Sequence, residues 1–423
     1  MSKVVFLSVP AYGHINFTLQ LVQGLVSHGE EVIYYCIPQF KEIVEATGAT
    51  FLPYHEEIIK NIDNTGVKKL NSNLQSSRFE YGLEMLCNIT MDFYSMQEVV
   101  VQAMFEEIVG HNPEYIIHDS CASWGKIIAE KARIKAVACY SNIALNDQIH
   151  NIDPEFLARN YFKFPEMKLY KNKQDGIKRL RKMVERYIKE KYNIDSFNLF
   201  DIYNSHEDLN IIFTSANFQP YVDTFHSSYK FVGPLMSDIF SKRDCSTIKG
   251  NKSLIYISLG TFFIDFNVYK ILFEALGNIN AQIIVSIGKE NGKAEVTKYG
   301  SIPSNFIVED FVPQKEVLSK ADLFIFHGGT NGVNEALYHG VPMLVIPFSS
   351  PDHFIVAEQV EKLKAGIYLK DTGISSNDLQ GIVEEMLLNP EYKKNSMQLG
   401  DAIRLLDGSK YAIDSIFEYK AEC

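Results

Sequence analysis

The stretch from Phe311 to Asp352, FVPQKEVLSKADLFIFHGGTNGVNEALYHGVPMLVIPFSSPD, admits few structures. Its apolar run Leu323–Phe326 ends in His327, Gly328, Gly329, Thr330, Asn331 and Gly332. A second periodic segment, Val333 to Tyr338, follows; Gly340 and Pro342 then precede another apolar run, Met343 to Pro347. Strand, glycine loop, helix, strand is the repeating unit of a parallel α/β sheet. The helix is predicted to start near Asn331, so its unpaired N–H groups and positive dipole end face the loop. An anion fits there. The lack of side chains at Gly328 and Gly329 suits a diphosphate better than a small ion. Glu335, in the early turns, is placed to accept hydrogen bonds from a ribose diol.

The other end of the chain repeats the alternation. Val4–Val9 reads as a buried strand, Pro10–Gly13 breaks it, and Asn16 is a candidate cap for a helix running to Ser27. Glu31–Cys36 reads as a second strand and Phe40–Ala46 as a short helix. This predicts a doubly wound sheet, in which ligands sit beyond the carboxyl ends of strands. His14 follows the first strand there, and the strand Tyr115–Ile117 delivers His118 and Asp119 to the same edge. The dinucleotide fingerprint G-x-G-x-x-G is absent after the first strand, where PAYGH stands. That argues against an NAD-dependent oxidoreductase.

Strand-like Ile211–Phe213 and Phe231–Pro234 close the first half, and the polar, aperiodic residues 235–252 read as an interdomain linker. Leu254–Ser258 opens a new strand with a loop at Leu259, Gly260 and Thr261. Helix Val268–Leu276, strands Gln282–Ile287 and Phe306–Val308, helices Phe354–Leu363 and Leu379–Leu388, and a terminal helix Tyr411–Tyr419 are expected. Two α/β domains, residues 1–234 and 253–405, follow, with 406–423 as a terminal helical segment.

The net charge of −11 over 423 residues argues against a general nucleic-acid binder. Six cysteines form no Cys-x-x-Cys pair, so neither a zinc site nor a disulfide framework is expected, and reduced thiols in a cytoplasm are the simplest reading. No uncharged apolar run reaches 18 residues, so a soluble cytoplasmic protein, monomer or weak homodimer, is expected. Phe79, Tyr81, Met85, Phe93, Tyr94 and Met96 read first as helical core, and some as walls of an apolar acceptor pocket. Residues 163–191 carry eleven Lys or Arg against four Asp or Glu. With Ile177, Leu180, Met183, Val184, Tyr187 and Ile188 at helical spacing, 177–191 reads as an amphipathic helix with a solvated basic face; contact with an anionic membrane or acidic acceptor is the alternative.

A diphosphate site in one domain and a histidine with a carboxylate in the other suggest group transfer from a nucleotide carrier across a cleft. His14 can remove a proton from a hydroxyl. Asp119 is the candidate to fix its tautomer; its alternative role is to cap the helix starting near Cys121. Charge on a departing diphosphate would meet the amides of Gly329–Gly332 and the imidazole of His327. No Asp-x-Asp pair exists, so no divalent metal on the diphosphate is indicated.

With VPAYGHINFTLQLVQGLVSHGEEVIYY at one end and FVPQ through HGGTNGVNEALYHGVPM to PD at the other, the chain resembles the UDP-glycosyltransferase superfamily over nearly its whole length. It is most similar to the bacterial macrolide-glycosyltransferase branch. The resemblance implies a GT-B fold: two Rossmann-like parallel-sheet domains facing a cleft, with the terminal helix crossing back to the N-terminal domain. It implies His14 as catalytic base and Asp119 as its partner. For the donor it implies Phe311 stacked on uracil, Val312 bonding the base through its backbone, and Gln314 near the ribose. His327 and the amides of Gly329, Thr330, Asn331 and Gly332 would hold the diphosphate, Glu335 the ribose, and Asp352 the sugar hydroxyls. Gly260 and Thr261, in the SLGT loop, would lie near the phosphate or acceptor. Three positions depart from the pattern: Phe17 for the usual proline, Gly332 for the usual serine, and Asp352-His353 for the usual acid–glutamine pair. The implied activity is inverting transfer of a hexose, glucose by default, from a UDP-sugar co-substrate to a hydroxyl of a small apolar acceptor such as a macrolide or polyphenol, with no cofactor. The alternatives are a cell-wall or lipid-linked glycosyltransferase, a UDP-sugar epimerase, and a non-catalytic nucleotide-sugar binder.

Overall fold

Seven strands form the first sheet: β1 Lys3–Leu7, β2 Glu31–Cys36, β3 Thr50–Pro53, β4 Tyr115–Asp119, β5 Lys135–Tyr140, β6 Leu209–Ile212 and β7 Tyr229–Phe231. Six form the second: β8 Ser253–Ser258, β9 Ala281–Ser286, β10 Phe306–Glu309, β11 Leu323–Phe326, β12 Met343–Val345 and β13 Gly366–Tyr368. The computed structural model describes residues 2–61, 97–153, 156, 170–197, 201–236, 252–260, 266–347, 350–371 and 373–422. Thr261, the aromatic and methionine residues from Phe79 to Met96, and most of the expected linker lie outside the described residues.

Every strand pair among the described residues is parallel. The composition explains this: runs such as VVFL and LFIF are buried along their whole length, as strands covered on both faces must be. The first sheet runs β3-β2-β1-β4-β5-β6-β7 and the second β10-β9-β8-β11-β12-β13. Each order reverses once, between β1 and β4 and between β8 and β11. At such a reversal the connections leave in opposite directions and open a crevice at the carboxyl ends.

The chain divides into two compact units. The first is Met1–Leu235 with Asp407–Cys423, the second Met236–Leu406. In the first, Val5, Leu7, Tyr35, Ile116, Trp124 and Ile128 build a core against one sheet face. The helix Gly408–Ala421 belongs to this unit and packs on the helix Thr18–Ser27, where a Cβ added at Gly24 would lie 2.3 Å from Ile413 Cδ1. In the second unit Ile255, Ile257, Leu272, Val285, Ile325 and Leu344 play the same part.

Local expectations need four corrections. Asn16 does not cap the first long helix. It ends a one-turn helix, Tyr12–Ile15, and Phe17 is the N-cap of Thr18–Ser27. Phe17 is buried with its ring 4.6 Å from that of Phe213, so an aromatic contact sets the chain path here. The helix expected from Phe354 begins at Pro351. The helix Pro390–Arg404 and the strands β3, β5 and β13 were not read from the sequence. The basic segment forms the helix Tyr170–Tyr192, with Val184 and Ile188 in the core. Met183, expected on that apolar face, is 46% exposed.

Candidate functional site

In the first unit, the reversal of strand order brings together residues more than a hundred positions apart. The backbone leaves β1 through Pro10 and turns at Tyr12–Ile15, which places His14 at the carboxyl edge. Asp119 ends the neighbouring strand β4. His14 Nδ1 lies 2.7 Å from Asp119 Oδ2, and Asp119 is fully buried while the imidazole is 27% exposed. The second carboxylate oxygen accepts the Cys121 N–H at 2.7 Å. Asp119 does not cap the helix expected near Cys121: that helix starts at Ser123, its N-cap is Ala122, and no side chain caps it. Ser141, just after β5, adds its Oγ at 3.1 Å from His14 Nδ1. Sequence reading missed Ser141. Its signal was position: it follows a strand adjacent to β4.

His118 does not share this edge. Successive strand residues face opposite sides. His118 is fully buried, with Nδ1 donating to the Asp119 carbonyl at 2.9 Å and Nε2 3.0 Å from Glu207 Oε1.

The second unit repeats the arrangement at its own strand reversal. Gly260 follows β8 and His327 follows β11. Gly260 has φ +94°, and a Cβ there would lie 3.3 Å from the His327 ring. Gly328 has φ +96°, and its Cβ would meet the His353 carbonyl at 2.7 Å, so only glycine fits. Gly329 is then the N-cap of Thr330–His339, which places the amides of Thr330, Asn331 and Gly332 at the helix start. Thr330 Oγ1 is buried there without a hydrogen-bond partner among the described residues. A Cβ on Gly332 would point at the Phe326 ring, 3.1 Å away. The serine more usual at this position would therefore begin from the aromatic face.

Beside that helix, Gln314 Nε2 donates to Glu335 Oε2 at 2.7 Å, and the Tyr256 hydroxyl donates to Gln314 Oε1 at 3.0 Å. Burial raises the pKa of Glu335, while the bond from Gln314 opposes the rise. Tyr256 was not foreseen, because a tyrosine inside an apolar strand reads as core. Phe311 is 38% exposed, ahead of Gln314, and Val312 is half-buried.

His327 donates from Nδ1 to the Ser258 carbonyl at 3.4 Å and meets the His353 ring edge-on at 4.5 Å. Burial, then the neighbouring His353, draws its pKa from 6.5 to about 3, so it is neutral near pH 7. Asp352 and His353 are not in an open loop. They occupy the first turn of Pro351–Lys362, where the Ser350 N–H donates to His353 Nδ1 at 3.4 Å and the Ser350 hydroxyl bonds Asp352. His353 thus completes a capping box.

Two Rossmann-like parallel sheets, each with its polar residues at the point of strand reversal, define a protein of the GT-B fold. Comparison with solved structures agrees. The calicheamicin glycosyltransferase CalG4 matches with a TM-score of 0.78 over 100% of this chain and 99% of its own, at 21% identity. Residues 221–404 match the family model for UDP-glucoronosyl and UDP-glucosyl transferase. An uncharacterized UDP-glucosyltransferase, YojK of Bacillus subtilis, is 30% identical over 99% of this chain and 97% of its own. The NDP-glycosyltransferase YjiC of Bacillus licheniformis is 31% identical over 99% and 98%. The chain belongs to the UDP-glycosyltransferase family and is an enzyme that transfers a sugar from a nucleotide-sugar donor.

Proposed function

We propose that this enzyme moves a hexose, glucose by default, from a UDP-sugar to a hydroxyl of a small, largely apolar acceptor, with inversion and with His14 as general base. The observation that carries the proposal is the 2.7 Å contact between His14 Nδ1 and the fully buried carboxylate of Asp119. A buried acceptor-only group beside Nδ1 keeps the imidazole proton there and leaves Nε2 with a lone pair. Nε2 takes the proton of the acceptor hydroxyl. The oxygen attacks the anomeric carbon as the bond to the diphosphate oxygen breaks, and UDP leaves with the bonding pair. Asp119 stabilises the imidazolium that forms.

On the donor side, Thr330, Asn331 and Gly332 offer amides to the diphosphate, Glu335 accepts from the ribose, and Phe311 presents an exposed ring for the uracil. Val312 and Gln314 border that base and ribose. Asp352 bonds the sugar hydroxyls on this reading. Gly260 leaves room beside His327. Helix-start amides neutralise charge without a metal, so EDTA leaves transfer intact on this reading. The acceptor class rests on the resemblance to macrolide-type enzymes and on relatives named for natural products. Tailoring or inactivation of such compounds is the role proposed.

His14→Ala should lower kcat by roughly 10²–10⁴ while UDP affinity, measured by calorimetry, is unchanged. Wild-type turnover in that variant would sink the base assignment.

A further inference from the structure

Cys121 stands two residues beyond Asp119, and its thiol has no part in the transfer proposed above. The donor atoms of His14, Asp119 and Cys121 all lie within 4.8 Å of one another, and among the described residues they are the only such trio. We propose that these three residues form a site for a thiophilic divalent cation, Zn²⁺ foremost, and that occupation shuts off transfer.

The ligand chemistry fits. Imidazole nitrogen, carboxylate oxygen and thiolate sulfur are the zinc set. One carboxylate and one thiolate balance the charge of a divalent ion. The groups that orient the ligands are also present. The Cys121 N–H holds Asp119 Oδ1 at 2.7 Å, which turns Oδ2 toward His14. Asn142 Nδ2 lies 3.4 Å from Cys121 Sγ, where it can donate to a thiolate. Such outer bonds fix ligand direction. Asp119 is buried, but the His14 side chain is 27% exposed, so an ion has a way in. Tetrahedral zinc with bonds of about 2.0–2.3 Å sets ligand atoms roughly 3.3–3.8 Å apart. The 2.7 Å contact must open slightly and the widest pair must close by about 1 Å. Three protein ligands leave a fourth position for water. The lack of a Cys-x-x-Cys pair argued against any zinc site; that argument does not reach ligands brought together from separate strand ends.

Binding has a defined proton balance. The metal takes the Nδ1 lone pair, so the ring proton moves to Nε2. The Cys121 thiol gives up its proton to solvent, one for each ion bound. With Nε2 protonated, the imidazole has no lone pair for an acceptor hydroxyl. This inhibition rests on His14 being the base; the metal binding does not.

The test uses the full chain with Cys87, Cys245 and Cys423 changed to Ser, stripped with EDTA and desalted. Zn²⁺ is titrated in competition with a chromophoric chelator. One ion should bind per chain, and Cys121→Ser should weaken binding at least tenfold. Co²⁺ should show thiolate-to-metal charge-transfer absorption that Cys121→Ser abolishes. Zn²⁺ should suppress transfer and EDTA restore it. The fractional loss of activity on adding Zn²⁺ should disappear in Cys121→Ser, and Mg²⁺ should do nothing to either protein. Absence of a bound ion, or equal affinity in Cys121→Ser, overturns the site. Zinc binding lost with Cys121→Ser supports it even should His14→Ala keep full activity, a result that would overturn only the base assignment.

Discussion

Tyr256 is fully buried in β8, its ring stacked on Phe324 at 5.0 Å, yet its hydroxyl orients the amide of Gln314 and through it Glu335. Tyr256→Phe removes one neutral hydrogen bond, about 1 kcal/mol, or about fivefold in UDP affinity. The kcat at saturating donor should not change. Equal UDP affinity by calorimetry would show that Gln314 keeps its orientation unaided. His327 carries a pH effect of defined sign. The folded chain holds it neutral down to about pH 3, against a free value of 6.5. An unfolded chain takes up the proton first, so His327 favours the fold above pH 6.5 and that stability drains away as pH falls toward 3. The slope reaches at most about 1.4 kcal/mol per pH unit. Urea denaturation across this range should flatten by about one proton in His327→Asn; an unaltered slope would place the effect elsewhere. His14, Asp119 and His327 were legible because a polar residue after an apolar run marks a strand's carboxyl end, and Glu335 because it falls in the early turns of the helix after the glycine loop. Ser141 and Cys121 were not, because their place beside His14 depends on which strands are neighbours, and Tyr256 was not because a tyrosine in an apolar strand reads as core.

Elements were legible where the apolar pattern was strong. β1, β2, β8 and β11 are continuous apolar runs. β5 is KAVACY, whose alanines and cysteine have little strand preference, and only its place between β4 and β6 makes it a strand. The Pro390–Arg404 helix was missed because most of its residues are polar; its few buried positions, Ser396, Gly400 and Ile403, are mostly small. The helix Gly408–Ala421 makes a direct prediction. Ile416 is fully buried. Ile416→Ala should destabilise the first unit by about 2–5 kcal/mol. Hydrogen exchange should show the loss in β1, β2 and Thr18–Ser27. Loss confined to residues 252–404 would contradict the assignment of this helix to the first unit.

At the scale of the molecule, the two units have separate cores, so a ligand held by one should be felt mainly there. UDP at a hundredfold excess over its Kd stabilises the state that binds it by about 2.7 kcal/mol. Slowed hydrogen exchange should concentrate in 252–404, around Thr330–His339. Equal slowing around β1 and β4 would mean that UDP contacts both units. None of the described helices is long and apolar enough to cross a membrane.

The first unit is interrupted in sequence. Asp407–Cys423 belongs to it, and Lys420 Nζ lies 2.5 Å from Ser2 Oγ and 3.0 Å from Glu30 Oε1. The helix that closes the unit is therefore synthesised after the whole of the second unit. On the ribosome, β1 to β7 emerge early but wait, with the apolar face of Thr18–Ser27 uncovered, until translation has passed residue 407. Chaperone demand during synthesis should fall on this half, and the second unit, continuous from 236 to 406, should reach its folded state first.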